Sequence, residues 1–336
     1  MTALADAFLS HVHQQQGVAP NLLLAVHVSR IQSVLAFLDA EPAALKLKGE
    51  VLRIFKTTNW LLDPGLFQEF VQAVGEAQFW MMAKTRGVEL ERIPELSKRT
   101  PDFRLAGGEG ECAPCFEVKT LSVTGGIHNL GQINEESFQA QLSLSQQVKD
   151  GKKVATAIHQ AAPHGLIKDG KNLTAIIRNL IDKTTNNIKS GQYSDAPTCL
   201  VLNLLLVDGH WNGNAGLRPV AFGYPETWNV RSGAFWNLAF GKVGHLVFGI
   251  PEFEGKPSVE GALGRDGILE ANPDIQALLL IIHDWNEEPV FFGLKRESDD
   301  DRWSEELKDL ADAFFKLVGD NWNDDGDTNG WRLAEH

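Results

Sequence analysis

The sequence predicts an α/β fold: a mixed central β-sheet flanked by helices, preceded by a helical N-terminal part. Three observations carry this. Helix-like segments fill the chain up to Leu62. Short segments in which apolar and polar residues alternate follow between Val88 and Thr120. A long amphipathic helix, Asn172 to Ser190, then precedes a nearly continuous apolar run from Pro197 to Val207, the pattern of a strand covered on both faces.

Length and composition bound the answer. The chain has 336 residues, 43% of them hydrophobic, enough for one elaborated domain or two small ones. No run of about 18 apolar residues exists, so no membrane span is expected. Met1 to Gln16 has neither a basic start nor a continuous apolar region, so no signal peptide is expected. Three cysteines fit a reducing, cytoplasmic setting. The net charge of −13 argues against a whole-molecule field that attracts nucleic acid. The charge is uneven, however. Lys149 to Lys189 carries eight basic residues against three acidic ones, whereas Glu297 to Asp327 carries twelve acidic against three basic. This permits a basic face on an acidic body, and equally two solvated surfaces.

Taken in order, Ala3 to Trp60 reads as two or three helices, with Pro20-Asn21 and Pro42 at helix starts. His11 and His13 flank Val12 and diverge on a helix, so they read as surface histidines. Pro64-Gly65 opens a helix that runs to Arg86, with Gly87 as its stop. Phe67, Phe70, Val71, Val74, Ala77 and Met81 form its main apolar stripe. Glu76 sits in that helix among apolar neighbours, where a carboxylate is costly unless paired or metal-linked. Glu69 lies two turns earlier, so the two also read as a narrow wet face. Val88 to Ile93 is a first strand. Pro101-Asp102-Phe103-Arg104-Leu105 and Cys115-Phe116-Glu117-Val118-Lys119-Thr120 are the arms of a hairpin closed by a Gly-rich turn. Side chains alternate faces along a strand, so Glu117 and Lys119 share one face while Phe116, Val118 and Leu121 pack the other. The hairpin returns Asp102 to the side of Glu117. Two carboxylates and an ammonium then converge, a set suited to a hard divalent cation. The bland counterpart is a surface hairpin with a cross-strand ion pair.

At these residues the chain resembles the PD-(D/E)xK nuclease superfamily, through Pro101-Asp102 and Glu117-Val118-Lys119. The resemblance covers roughly Leu66 to Leu206 and implies a restriction-endonuclease-like core. It implies that Asp102 and Glu117, with the carbonyl of Val118, bind Mg²⁺ or Mn²⁺ and that Lys119 assists the attacking water. It also implies that Glu76, on the preceding helix, supports the metal. On the helix after the Glu-x-Lys strand, Lys183 stands where the family places a phosphate-binding lysine. Asn187 stands four residues on, where the family has Gln.

Several features remain outside that set. Cys112-Ala113-Pro114-Cys115 has the spacing of half a zinc site without the other half. Ser122 to Gly165 reads as an insertion, with a Gln-rich helix from about Asn134 to Val148 that suits phosphate contacts or a plain polar surface. His245–Ile250, Ile275–His283 and Pro289–Lys295 read as strands that extend the sheet at one edge. A short helix spans Ala234 to Phe240. An amphipathic helix from Trp303 to Val318 is capped by Ser304. Asp325 to Gly330 begins like a calcium loop but lacks its closing Glu, which argues against calcium.

The expected organisation is a helical part over 1–62, a nuclease-like core over 63–300 with the insertion at about 122–165, and a helix with an acidic tail over 301–336. The expected function is Mg²⁺-dependent phosphodiester hydrolysis, as a DNA endonuclease of restriction, defence or repair type. The alternative is a non-catalytic nucleic-acid-binding module or a structural protein that keeps the fold. The expected partner is nucleic acid, DNA in the first place; a homodimer is allowed and a membrane is not.

Overall fold

The computed structural model describes residues 3–15, 22–58, 60–94, 100–107, 113–121, 130–157, 173–186, 188, 193, 196–205, 220–223, 228–248, 259–284, 288–296, 307–324 and 332–333. The chain divides into two compact units. One comprises Met1–Met81 and Gly125–Leu166, the other Met82–Thr124 and Ile167–His336.

The first unit is helical among its described residues. It holds α1 (Ala3–Gln15), α2 (Leu22–Ala40), α3 (Leu45–Phe55), most of α4 (Pro64–Thr85) and α5 (Leu130–Lys149). Phe8, Leu35, Leu38, Val51, Trp60 and Phe70 are buried between these helices. The rings of Trp60 and Phe70 pack at a tilt of 52°, with centroids 4.5 Å apart. α4 starts where the sequence places it. Asp63 Oδ1 accepts the N–H groups of Gly65 (2.8 Å) and Leu66 (3.0 Å), and Pro64 occupies the first turn, where its missing N–H costs nothing. It stops before Gly87, whose φ of 68° is the left-handed conformation that favours glycine at a helix end. His11 is half-buried rather than on an open surface. Its ring lies 5.3 Å from that of Phe55 and 6.0 Å from that of Trp60, and burial holds its pKa below the usual histidine value. His13 is exposed.

The second unit is built on a seven-stranded mixed sheet of order β1-β2-β3-β4-β9-β10-β11. Its strands are β1 (Leu90–Arg92), β2 (Phe103–Leu105), β3 (Cys115–Thr120), β4 (Thr198–Asn203), β9 (Ile275–His283), β10 (Pro289–Lys295) and β11 (Trp322–Asp324). β2 pairs antiparallel with β1 and with β3, while β3, β4 and β9 run parallel. The long apolar run becomes β4, central and buried at every position. β10 returns antiparallel to β9 and pairs parallel with β11.

Helices cover both faces. On one, α6 (Leu173–Thr185), α7 (Ala234–Phe240) and α8 (Ile268–Ala271) pack over Leu200, Leu202, Leu278, Leu280, Phe292 and Leu294. On the other, α9 (Lys308–Val318) lies against β10 at Gly293. A Cβ there would overlap the Phe314 ring and stand 2.7 Å from Val318 Cγ1. α9 follows a turn at Leu307 and carries no side-chain cap; Ser304 lies outside the described residues.

The structure corrects two strand-level expectations. The strand from His245 becomes β7 (Leu246–Phe248), which pairs with β8 (Val259–Ala262) in a separate two-stranded sheet instead of extending the main one. A third sheet joins β5 (Val220–Gly223), β6 (Trp228–Ser232) and β12 (Arg332–Leu333) in the order β12-β6-β5, none of them foreseen. No helix among the described residues is long and apolar enough to cross a membrane.

Candidate active site

The site is built where β3 outruns β2. Phe103 pairs with Phe116, and there β2 begins, yet β3 continues through Glu117, Val118, Lys119 and Thr120. One register step beyond that pair, Asp102 stands opposite Glu117. The backbone N–H of Val118 has no β2 residue beside it, and the side chain of Asp102 takes that place: Oδ2 accepts it at 2.8 Å. A carboxylate thus completes the sheet edge and is held against the Glu-x-Lys strand.

Strand alternation places the other two groups. Phe116 and Val118 are fully buried on one face. Glu117 and Lys119 share the opposite face and form an ion pair, Nζ to Oε1. Register sets Glu117 beside Leu200 and Lys119 beside Leu202, on the face that α6 covers. Leu121 belongs to this α6-side cluster, not to the Phe116 and Val118 face expected for it. The expectation failed because β3 ends at Thr120 and Leu121 is an odd step from Val118, so alternation itself directs it to the Glu117 side.

Glu117 is 1% exposed. One of its oxygens meets Lys119; the other, Oε2, is buried with no hydrogen-bond partner. Buried polar atoms are normally satisfied, and leaving one unpartnered costs about 1–3 kcal/mol, more when it is charged. Lys119 keeps a route to solvent, with a side chain 20% exposed. The arrangement leaves a buried anionic oxygen beside an ammonium, with a second carboxylate one strand away. This donor set fits Mg²⁺, which takes one or two carboxylates and keeps several waters. Among the described residues, no cluster of three or more His, Cys, Asp or Glu side chains is disposed to hold a metal.

One buried polar residue of the α6-side cluster gave no sequence signal. Tyr193 lies between α6 and β4, is 6% exposed, and packs in the same cluster as Leu121, Ile177 and Leu200. Burial raises its pKa, and the charges of Glu117 and Asp102 raise it further. Its hydroxyl is buried and has no hydrogen-bond partner. Periodicity is silent in such a segment. The available hint was only that Tyr193 is one of two tyrosines in the chain.

Lys183 is half-buried near the end of α6, and desolvation lowers its pKa. Asn187 and Cys112 lie outside the described residues. Glu76 is 7% exposed on α4, within the helical unit, whereas Asp102, Glu117 and Lys119 belong to the sheet unit. The narrow wet face proposed for Glu69 and Glu76 does not form: Glu69 is exposed and paired with Arg53, while Glu76 is buried. Cys115 is a buried thiol whose pKa is pushed up to about 11 by desolvation, with Sγ 3.3 Å from the carbonyl of Ala113.

No family model, curated protein or solved structure matches this chain.

Proposed function

We propose that the chain is a Mg²⁺- or Mn²⁺-dependent phosphodiesterase of the PD-(D/E)xK kind that acts on nucleic acid, DNA in the first place. The observation that supports this most is the unpartnered Oε2 of Glu117 next to Lys119. A fold that needed only packing would place an apolar side chain there, because a buried ion pair is often no more stabilising than apolar residues of similar volume.

In this reading Asp102 and Glu117, with the Val118 carbonyl, hold the cation. Bound there, it supplies charge neutralisation at phosphate and a lowered pKa for water. The chain's own residues do the rest. The Val118 N–H fixes one oxygen of Asp102, so that carboxylate is oriented before any ligand arrives. Lys119 offsets the charge of Glu117 and is placed to position a water and to stabilise charge that builds on a phosphate oxygen. Lys183, held partly out of water, makes a phosphate contact. Glu76 supports the cation and Asn187 the substrate only as the resemblance implies. A homodimer and a cytoplasmic setting belong to the same proposal.

The test is cleavage of supercoiled plasmid by purified protein. Cutting with Mg²⁺ or Mn²⁺ and none in EDTA is expected. Binding without cutting under all metal conditions returns the chain to a non-catalytic nucleic-acid-binding module.

A further inference from the structure

The ion pair at the site is asymmetric. The Glu117 side chain is 2% exposed and that of Lys119 is 20% exposed. Glu117 lies in the middle of β3, whereas Lys119 stands one residue from the strand's end at Thr120. Of the two partners, only the lysine has a way out. Its stem is long and flexible, and its ammonium is a compact charge with freely turning donors, so it exchanges partners readily. Glu117 meets it through Oε1 alone, while Oε2 is buried without a hydrogen-bond partner. The two oxygens of one carboxylate are close neighbours. An ammonium on one and a divalent cation on the other repel each other, far more strongly in a buried site than in water. Asp102 and Glu117 together already match the charge of a divalent cation. An ammonium that stayed on Glu117 would be surplus buried charge, which is costly.

We propose that Lys119 is a displaceable counter-ion: it holds Glu117 until a divalent cation binds there, and it then leaves Glu117 and turns outward, where a phosphate receives its charge. This rests on the metal reading above, and it adds a built-in order of events. Cation binding and lysine release are one exchange on one carboxylate, so the ammonium is presented to substrate only when the cation is in place. The linkage is reciprocal: whatever weakens the hold of Lys119 on Glu117 strengthens the hold of the cation by the same factor, typically ~5–150-fold between coupled ligands.

Acetylation of lysine amines by sulfo-N-hydroxysuccinimide acetate, read by peptide mass spectrometry, follows the release on the wild-type chain. Labelling of Lys119 is expected to be slow in EDTA and to rise with Mg²⁺, while the exposed Lys152 and Lys153 label alike in both conditions. In Glu117→Gln the charge that holds the ammonium is gone, so Lys119 should label fast in EDTA and gain nothing from Mg²⁺. Mn²⁺ affinity, read from the free-ion electron paramagnetic resonance signal, is expected to rise ~10-fold in Lys119→Gln. A pair that serves packing alone moves neither readout. Mn²⁺ binding by the wild type with Lys119 labelling unchanged at saturation overturns this proposal and leaves the metal site standing, as does a Lys119→Gln affinity equal to that of wild type. No Mn²⁺ binding by the wild type overturns both.

Discussion

Asp102 Oδ2 accepts the backbone N–H of Val118 at 2.8 Å, so the first carboxylate of the site is also part of the sheet. The two roles separate by substitution. Asp102→Ala removes both the bond and the charge and is expected to destabilise the fold by ~1.5–3 kcal/mol, the range for a hydrogen bond to a charged group. Asp102→Asn keeps an acceptor oxygen and should recover most of that stability, yet bind Mn²⁺ poorly. Urea denaturation beside a Mn²⁺ titration reads both. Equal stability of Asp102→Ala and wild type would remove the structural role.

Lys119→Ala is expected to cut single-turnover cleavage by ~10²–10³, or ~2.7–4 kcal/mol, the usual loss for one well-placed donor at developing charge. DNA binding in Ca²⁺ should change little, because phosphate affinity is spread over several cations. Lys183→Ala makes the contrast and should weaken binding more than Lys119→Ala does. Lys119→Ala also strands Glu117, and breaking a buried pair costs up to ~3–5 kcal/mol, less here because Lys119 is partly exposed. Lys119→Gln retains a donor to Glu117 and keeps the fold as the control. Unchanged cleavage in both variants would reduce the pair to an ordinary structural one.

Gly293 tests the sheet's other face. A Cβ there would overlap Phe314 and crowd Val318, so Gly293→Ala should destabilise by ~1–3 kcal/mol through displacement of α9. Thermal unfolding measures it. A neutral outcome would mean that α9 does not press on β10 as described.

Cys115 gives a pH prediction. Its thiol holds its proton to about pH 11 in the folded chain, against an ordinary value of 9.0. Between those values the folded state carries a proton the unfolded state has released. The contribution of this thiol to stability is therefore constant below pH 9.0, and falls as the pH rises toward 11. Cys115→Ala should flatten that part of the stability profile. Urea midpoints from pH 8 to 11 provide the comparison, and identical slopes would contradict it.

Much of this site was legible because it lies on a strand. A period of two puts Glu117 and Lys119 together whatever the rest of the chain does, and the Gly-rich turn brings Asp102 back to them. β4 was readable as central from its unbroken apolar run, and α4 from Pro64-Gly65 and Gly87 at its ends; the Asp63 cap appears only in the structure. What failed depends on partners rather than local pattern. β7 has a strand-like sequence, but its own pattern does not say that it joins β8, Val259–Ala262, rather than the main sheet. β11, Trp322–Asp324, is three residues, two of them polar, and takes its register from β10 alone. Tyr193 belongs to no helix or strand, so neither period marks it, and only the three-dimensional structure packs it in the α6-side cluster.

The most direct measurement of the central claim is a crystal structure of the protein soaked in Mn²⁺, with the metal located by its anomalous signal. The proposal expects one strong peak at about 2.0–2.2 Å from carboxylate oxygens of both Asp102 and Glu117, with Lys119 beside it. Full Mn²⁺ exposure with no peak at these residues, or a peak only elsewhere on the acidic surface, would contradict it.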